Sequence, residues 1–124
     1  MVDERLYTVD EADAALPDLR ERLARIREAR QVILRQAELV RAKVVAEVGG
    51  ADPGTAYREA SGTLRGELEH LSAANILLRD PETGLVDFPA ERDGERVYLC
   101  WRLGEDHVAS WHPLDTGYAG RRPL

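Results

Sequence analysis

Apolar and polar positions follow a three-and-four rhythm up to Asn75 and a two-residue rhythm after Leu85. Positions 19, 23, 26, 30, 33, 37, 40 and 44 hold Leu, Leu, Ile, Arg, Ile, Ala, Val and Val, a narrow seam of the coiled-coil type interrupted by Arg30. Thr8 and Glu11 form a T-x-x-E capping box ahead of it, and Asp10, Glu11 and Asp13 suit the positive end of a helix. The pattern predicts helix over residues 8–48 with a break near Pro17, because proline lacks the amide that an interior turn needs. The stretch from Pro17 to Val48 would span roughly 48 Å, with Gly49 and Gly50 as its stop. Asp52 and Pro53 restart the chain as N-cap and first helical residue, and a second helix over 53–78 carries Tyr57, Leu64, Leu68, Leu71 and Leu78 on a weaker seam. Gly62 and Gly66, beside Ala60 and Ser61, make a small-residue patch that suggests close approach by another element.

After Asn75 the stretch Ile76 to Arg79 reads equally as a helix end or a strand start, and Asp80-Pro81-Glu82-Thr83-Gly84 is a turn. Val86 and Phe88 then alternate with Asp87. Asp93-Gly94 signals a hairpin, and Val97, Leu99, Trp101 and Leu103 alternate with Tyr98, Cys100 and Arg102. A third strand near Val108 to His112 completes a meander over 85–112, and residues 113–124 read as an irregular tail. The expected fold is α+β: a long antiparallel helical hairpin followed by a small C-terminal antiparallel β-meander. A hairpin with two exposed flanks gains from a second copy, so a homodimer with a four-helix bundle is expected.

Length and charge refine this picture. A chain of 124 residues fits one domain, and its 32% charged residues suit long solvated helices. The net charge of −6 argues against general nucleic-acid affinity. From Leu19 to Lys43, eight basic residues face three glutamates, a local excess of +5 that leaves −11 elsewhere. Without interleaved aromatics, this stripe reads as a basic helix paired with acidic neighbours rather than a base-stacking surface. One cysteine, Cys100, cannot form an internal disulfide, and no apolar run approaches membrane-spanning length. The cytoplasm is the expected compartment.

The C-terminal run GLVDFPAERDGERVYLCWRLGEDHVASWHPLDTGYAGRRPL and the N-terminal YTVDEADAALPDLR resemble an uncharacterised bacterial family, domain of unknown function 2203. The likeness covers both ends of the chain around a variable helical middle. It implies no established activity. Asp87, Cys100, Trp101, Glu105, Trp111, His112 and Arg121 lie in the signature stretch, while His70 and His107 fall outside its motif.

The densest chemical cluster in the sequence is Asp87, Cys100, Glu105, His107, His112 and Asp115. Strand alternation can bring Asp87 and Cys100 to one sheet face, away from Val86, Phe88, Leu99 and Trp101. His112 reaches that face if Trp111 takes the core, and Glu105 approaches from a turn. Asp87, Glu105 and His112 are the candidate ligands for a divalent metal. Cys100, Trp101, Trp111 and Arg121 are the candidates for contacting a small ligand. No fixed ligand spacing such as C-x-x-C is present, and a structural imidazole at His112 or a buried apolar role for Cys100 explains the same residues. Glu67-x-x-His70 places two ligand types on one helix face, but a solvated face is its simpler reading. The expected function is a polar pocket between sheet and helices that binds a divalent metal or small ligand. The rival is a non-catalytic homodimeric coiled-coil module that docks a protein partner.

Overall fold

The computed structural model describes residues 4–46 and 54–124. Two helices, α1 (Val9–Ala46) and α2 (Gly54–Ala73), precede five strands: β1 (Leu77–Asp80), β2 (Leu85–Arg92), β3 (Glu95–Arg102), β4 (Ser110–Pro113) and β5 (Arg122–Pro123). The strands form one sheet in the order β1-β2-β3-β4-β5, with every neighbouring pair antiparallel. Among the described residues no helix is long and apolar enough to cross a membrane.

The capping box forms as the sequence suggests. The Thr8 amide donates to Glu11 Oε1 at 2.9 Å, and the Glu11 amide donates to Thr8 Oγ1 at 3.1 Å. The expected break at Pro17 does not occur, and α1 runs through it. Ala12, Leu16, Leu19, Leu23 and Ile26 are buried on one face while Pro17 is exposed on the other. Pro17 itself thus faces water, and the burial of Leu16 and Leu19 on either side of it offsets a cost of about 3 kcal/mol.

The two helices run antiparallel. Arg22 and Arg25 both reach Glu67 at 2.9 Å; Asp18 and Leu19 share a groove with His70 and Leu71, and Val32 shares one with Ala56. Part of the basic stripe is spent in this way, and Arg30 adds an ion pair with Glu82 at 2.7 Å. Glu67 is thus committed to two guanidiniums. Partial burial raises its pKa, but the hydrogen bonds from Arg22 and Arg25 outweigh this and hold it below the ordinary value. His70, on the same face, is exposed.

The second helix ends at Ala73, earlier than the periodicity predicts, and Asn75 takes a left-handed conformation at φ 58°. The Ile76 amide closes back on the Leu71 carbonyl at 2.9 Å, and Leu77–Asp80 becomes β1, an added strand paired with β2. The tail is also more ordered than expected: Tyr118–Gly120 is a 3-10 turn and β5 pairs with β4. The expected stop at Gly49 and Gly50 and the cap at Asp52 and Pro53 lie outside the described residues.

The core lies between α1 and one sheet face, where Leu16, Leu19, Leu23 and Ile26 meet Val86, Phe88, Leu99 and Trp101. Tyr7 closes one end: its amide donates to the Pro89 carbonyl and its hydroxyl to the Ala74 carbonyl, each at 2.7 Å. At the other end the Val108 amide donates to Asp13 Oδ1 at 2.7 Å. Glycine matters at Gly84, where φ is 73° and an added Cβ would stand 2.7 Å from the Leu103 Cβ. At Gly62 and Gly66 no atom stands within 4 Å of an added Cβ, so the close approach expected there is not found.

These two situations give opposite expectations. Gly66→Ala should stabilise the fold by about 0.5–1 kcal/mol, since it removes backbone freedom from the unfolded chain without a clash. Gly84→Ala should destabilise it by about 2 kcal/mol or more. Urea denaturation of both variants checks this, and equal signs would refute the placement of the two glycines.

Candidate metal centre

Three strands place the site. Asp87 on β2 stands opposite Cys100 on β3, Cys100 stands opposite Ser110 on β4, and His112 on β4 pairs with Tyr98. Side chains alternate across a strand, so Asp87, Cys100 and His112 share the face that points away from the helices. All three are at most 2% exposed, and their ligand atoms lie within 4.8 Å of one another. The cluster therefore lies not between sheet and helices, as the sequence suggested, but on the sheet's outer face. The tail covers it: Leu114, Asp115, Thr116, Gly117 and Tyr118 border a cleft of about 460 Å³ that reaches Asp87 and His112.

Hydrogen-bond inventory constrains the imidazole. His112 Nδ1 lies 2.7 Å from the Pro113 carbonyl oxygen, which can only accept, so Nδ1 carries a proton and donates. Nε2 then faces Asp87, 3.0 Å from each carboxylate oxygen. Two bare lone pairs would repel across that gap, so either a proton bridges them or a cation bound beside both atoms offsets the repulsion. Arg79 holds the carboxylate from the other side, Nε donating to Asp87 Oδ2 at 2.9 Å. Among the described residues no buried side-chain nitrogen or oxygen lacks a hydrogen-bond partner.

Cys100 is not poised as a nucleophile. Burial first, and the Asp87 charge second, push its thiol from 9.0 up to about 12, against a smaller opposing pull from Arg121. A thiol so placed stays protonated at neutral pH unless a cation binds beside it, in which case the local charge logic reverses.

Glu105 does not join the cluster. Its Oε1 accepts from the Arg102 amide at 3.1 Å, its Oε2 is ion-paired with Arg121, and its carbonyl accepts from Trp101 Nε1 at 3.0 Å. The turn after β3 curls this carboxylate back onto its own strand end, from which it acts on Cys100 through its charge. Trp101 and Trp111 occupy the opposite, helix-facing side, because they pair with Val86 and Leu99. Trp101 is fully buried in the core, and Trp111 is flanked by the guanidiniums of Arg92 and Arg122 at 4.9 and 5.3 Å. Arg121 is near enough to Cys100 to act on its thiol but is engaged by Glu105. His107 is exposed. Arg79 and the Pro113 carbonyl are participants that sequence reasoning missed. The signal for Arg79 was its two-residue offset from Leu77, which pairs with Asp87 once β1 is recognised.

The fold and site define a small α+β protein with a buried carboxylate–thiol–imidazole cluster on the outer face of its sheet. The family model described as an uncharacterized conserved protein, DUF2203, matches residues 5–124, and the chain belongs to that family. No curated protein and no solved structure matches the chain.

The raised thiol has a consequence for alkaline stability in chelator-treated protein. The folded chain retains the Cys100 proton between about 9 and 12, whereas the unfolded chain releases it near 9. This contribution is complete below 9 and is lost as pH rises through that window, at up to about 1.4 kcal/mol per pH unit. Cys100→Ala should therefore show a shallower loss of stability between pH 9 and 10.5 in urea denaturation. Identical slopes for the two proteins would show that the thiol ionises normally.

Proposed function

We propose that this protein binds one divalent metal ion through Asp87, Cys100 and His112, with zinc as the best-matched ion. The observation that carries the reading is the committed Nδ1 of His112. A ring that gives Nδ1–H to a backbone carbonyl presents Nε2 as a ligand, the arrangement common to metal-bound histidines. Thiolate, imidazole and carboxylate together form a mixed donor set suited to zinc. Tetrahedral zinc holds its nitrogen and oxygen donors about 3.3 Å apart and sulfur slightly farther, the scale of the separations within 4.8 Å found here. Arg79 supports the carboxylate as an outer partner of the site.

Three protein ligands leave a fourth tetrahedral position, the format of sites that handle a water or a ligand rather than purely structural ones. The cleft under the tail lies beside Asp87 and His112, so that position has a route to solvent. The alternative occupant of the gap is a proton, which would make the cluster a buried ion pair with no metal role.

Protein purified without an affinity tag should carry about one metal ion per chain by elemental analysis. His112→Ala and Cys100→Ser should each lose it. At a free zinc concentration about 100-fold above the dissociation constant, binding should add about 2.7 kcal/mol and raise the melting temperature by roughly 10 °C. Affinity should rise with pH as Cys100 gives up its proton on binding. No bound metal, together with identical melting in zinc and in chelator, would assign the gap to a proton.

A second reading, self-association through the helices, is favoured by apolar exposure. Leu34, Leu39 and Leu68 are 54%, 51% and 40% exposed. The groove shared by Val32 and Ala56 lies near the start of α2, so the α1 turns beyond Ile33 extend past it and carry Leu34 and Leu39 with them. A second copy offers the same exposed leucines. Light scattering coupled to gel filtration should give twice the 13.9 kDa chain mass, and Leu34→Glu with Leu39→Glu should return it to the single value. A wild-type protein of single-chain mass at 100-micromolar order would dismiss the dimer.

A further inference from the structure

The cleft above the proposed metal centre has a chemistry of its own. Arg79 lines it, with 42% of its side chain exposed. A guanidinium has five donors. Nε goes to Asp87, and the side chain also engages Tyr98, whose ring centroid lies 5.0 Å from the guanidinium carbon. Among the described residues Asp87 is the one carboxylate paired with Arg79, so the fork keeps donors available beside the cleft. Leu85, Leu114 and the Tyr118 ring supply apolar wall, and Leu114 and Tyr118 are 54% and 44% exposed.

Charge sets the kind of ligand that fits. A dication with Cys100 thiolate and Asp87 carboxylate is neutral, and Arg79 makes the cluster +1. Asp115, also on the cleft wall, brings the total for the cleft to zero. The positive charge is concentrated at Arg79 and the metal, which suits a monoanion held between them, while Asp115 disfavours a phosphate dianion. A carboxylate matches the fork geometry of arginine, and its second oxygen is free to approach the metal.

We propose that the cleft under the tail binds a small organic monocarboxylate between Arg79 and the fourth position of the metal, with its apolar part against Leu85, Leu114 and Tyr118. This rests on the metal reading given above, and it adds the class of ligand. A volume of about 460 Å³ admits a ligand of several carbons.

Cobalt(II) substitution tests the two readings separately, because a bound thiolate gives a sulfur-to-cobalt charge-transfer band and an exchangeable fourth ligand moves the visible bands. The cobalt-loaded protein should show saturable visible-band shifts with acetate and with benzoate, benzoate binding more tightly and inorganic phosphate more weakly than either. Arg79→Gln should weaken acetate about tenfold while the charge-transfer band persists. Tyr118→Ala should weaken benzoate and leave acetate unchanged, a readout independent of Asp87 positioning. A charge-transfer band with visible bands unmoved by acetate and benzoate would overturn the carboxylate proposal and leave the metal site standing. Phosphate binding more tightly than both would overturn it too. Absence of the charge-transfer band in the wild type would overturn the metal reading and the ligand with it.

Discussion

Because successive strand residues point to opposite faces, the pairing of Val86 with Trp101 and of Asp87 with Cys100 sets the core and the polar cluster together. A slip by one residue would turn one of the two strands over against the other, driving Asp87 or Cys100 into the face that packs on Leu16, Leu19 and Leu23. It would also expose Phe88 or Trp101 with it. Burial of one large apolar side chain is worth about 1.5–3 kcal/mol, and several stand on that face. The apolar side of the sheet therefore holds the register that the polar side needs. The two-residue Asp93-Gly94 turn, with both residues at positive φ, pins the same register from the hairpin end.

A buried carboxylate beside a buried imidazole is poor material for stability alone, since a well-packed apolar replacement is often as stable or more so. Here the pair recruits Arg79 and the Pro113 carbonyl to satisfy it, and it excludes from the sheet's outer face the apolar packing that a structural solution would use. A thiol held protonated within 4.8 Å of both groups hydrogen-bonds Asp87 and adds a third potential donor to the cluster. The proposed metal site would use all three at once, so it takes in Cys100 as well as Asp87 and His112.

Much of the architecture was legible in the sequence, and the omissions have physical causes. The α1 seam from Leu19 and the alternation of Val97, Leu99 and Trp101 are long enough for periodicity to declare them. Alternation alone also places Asp87, Cys100 and His112 on one face. The strands at Leu77–Asp80 and Arg122–Pro123 are four and two residues long, too short for a period to be read, and each exists because a neighbouring strand offers it an edge. Missing β1 meant missing Arg79, and treating the tail as irregular put the pocket on the wrong side of the sheet. Pro17 is a case in which tertiary burial overrode a local rule. Glu105 was misplaced because sequence proximity to a turn does not say which way the turn curls.

Glu105 nevertheless ties together the elements that surround the cluster. Its carbonyl accepts from Trp101 on the core side and from Arg20 of α1 at 3.3 Å, while its carboxylate holds the Arg102 amide and Arg121. Arg121 leads into β5 and stands with Tyr118, the ring that walls the cleft, at 5.2 Å. One short turn thus joins the helical layer, the central strand and the tail. The tail forms the roof of the site, and its anchor is an ion pair that is partly exposed on both sides, at 17% and 27%. Partly exposed pairs are weaker than buried ones and sensitive to salt. The cleft is thus roofed by the tail, tied down in part by this pair, while its floor is fixed by the register of β2, β3 and β4. That division fits the proposed site, whose ligands sit on the paired strands and whose open position faces the tail.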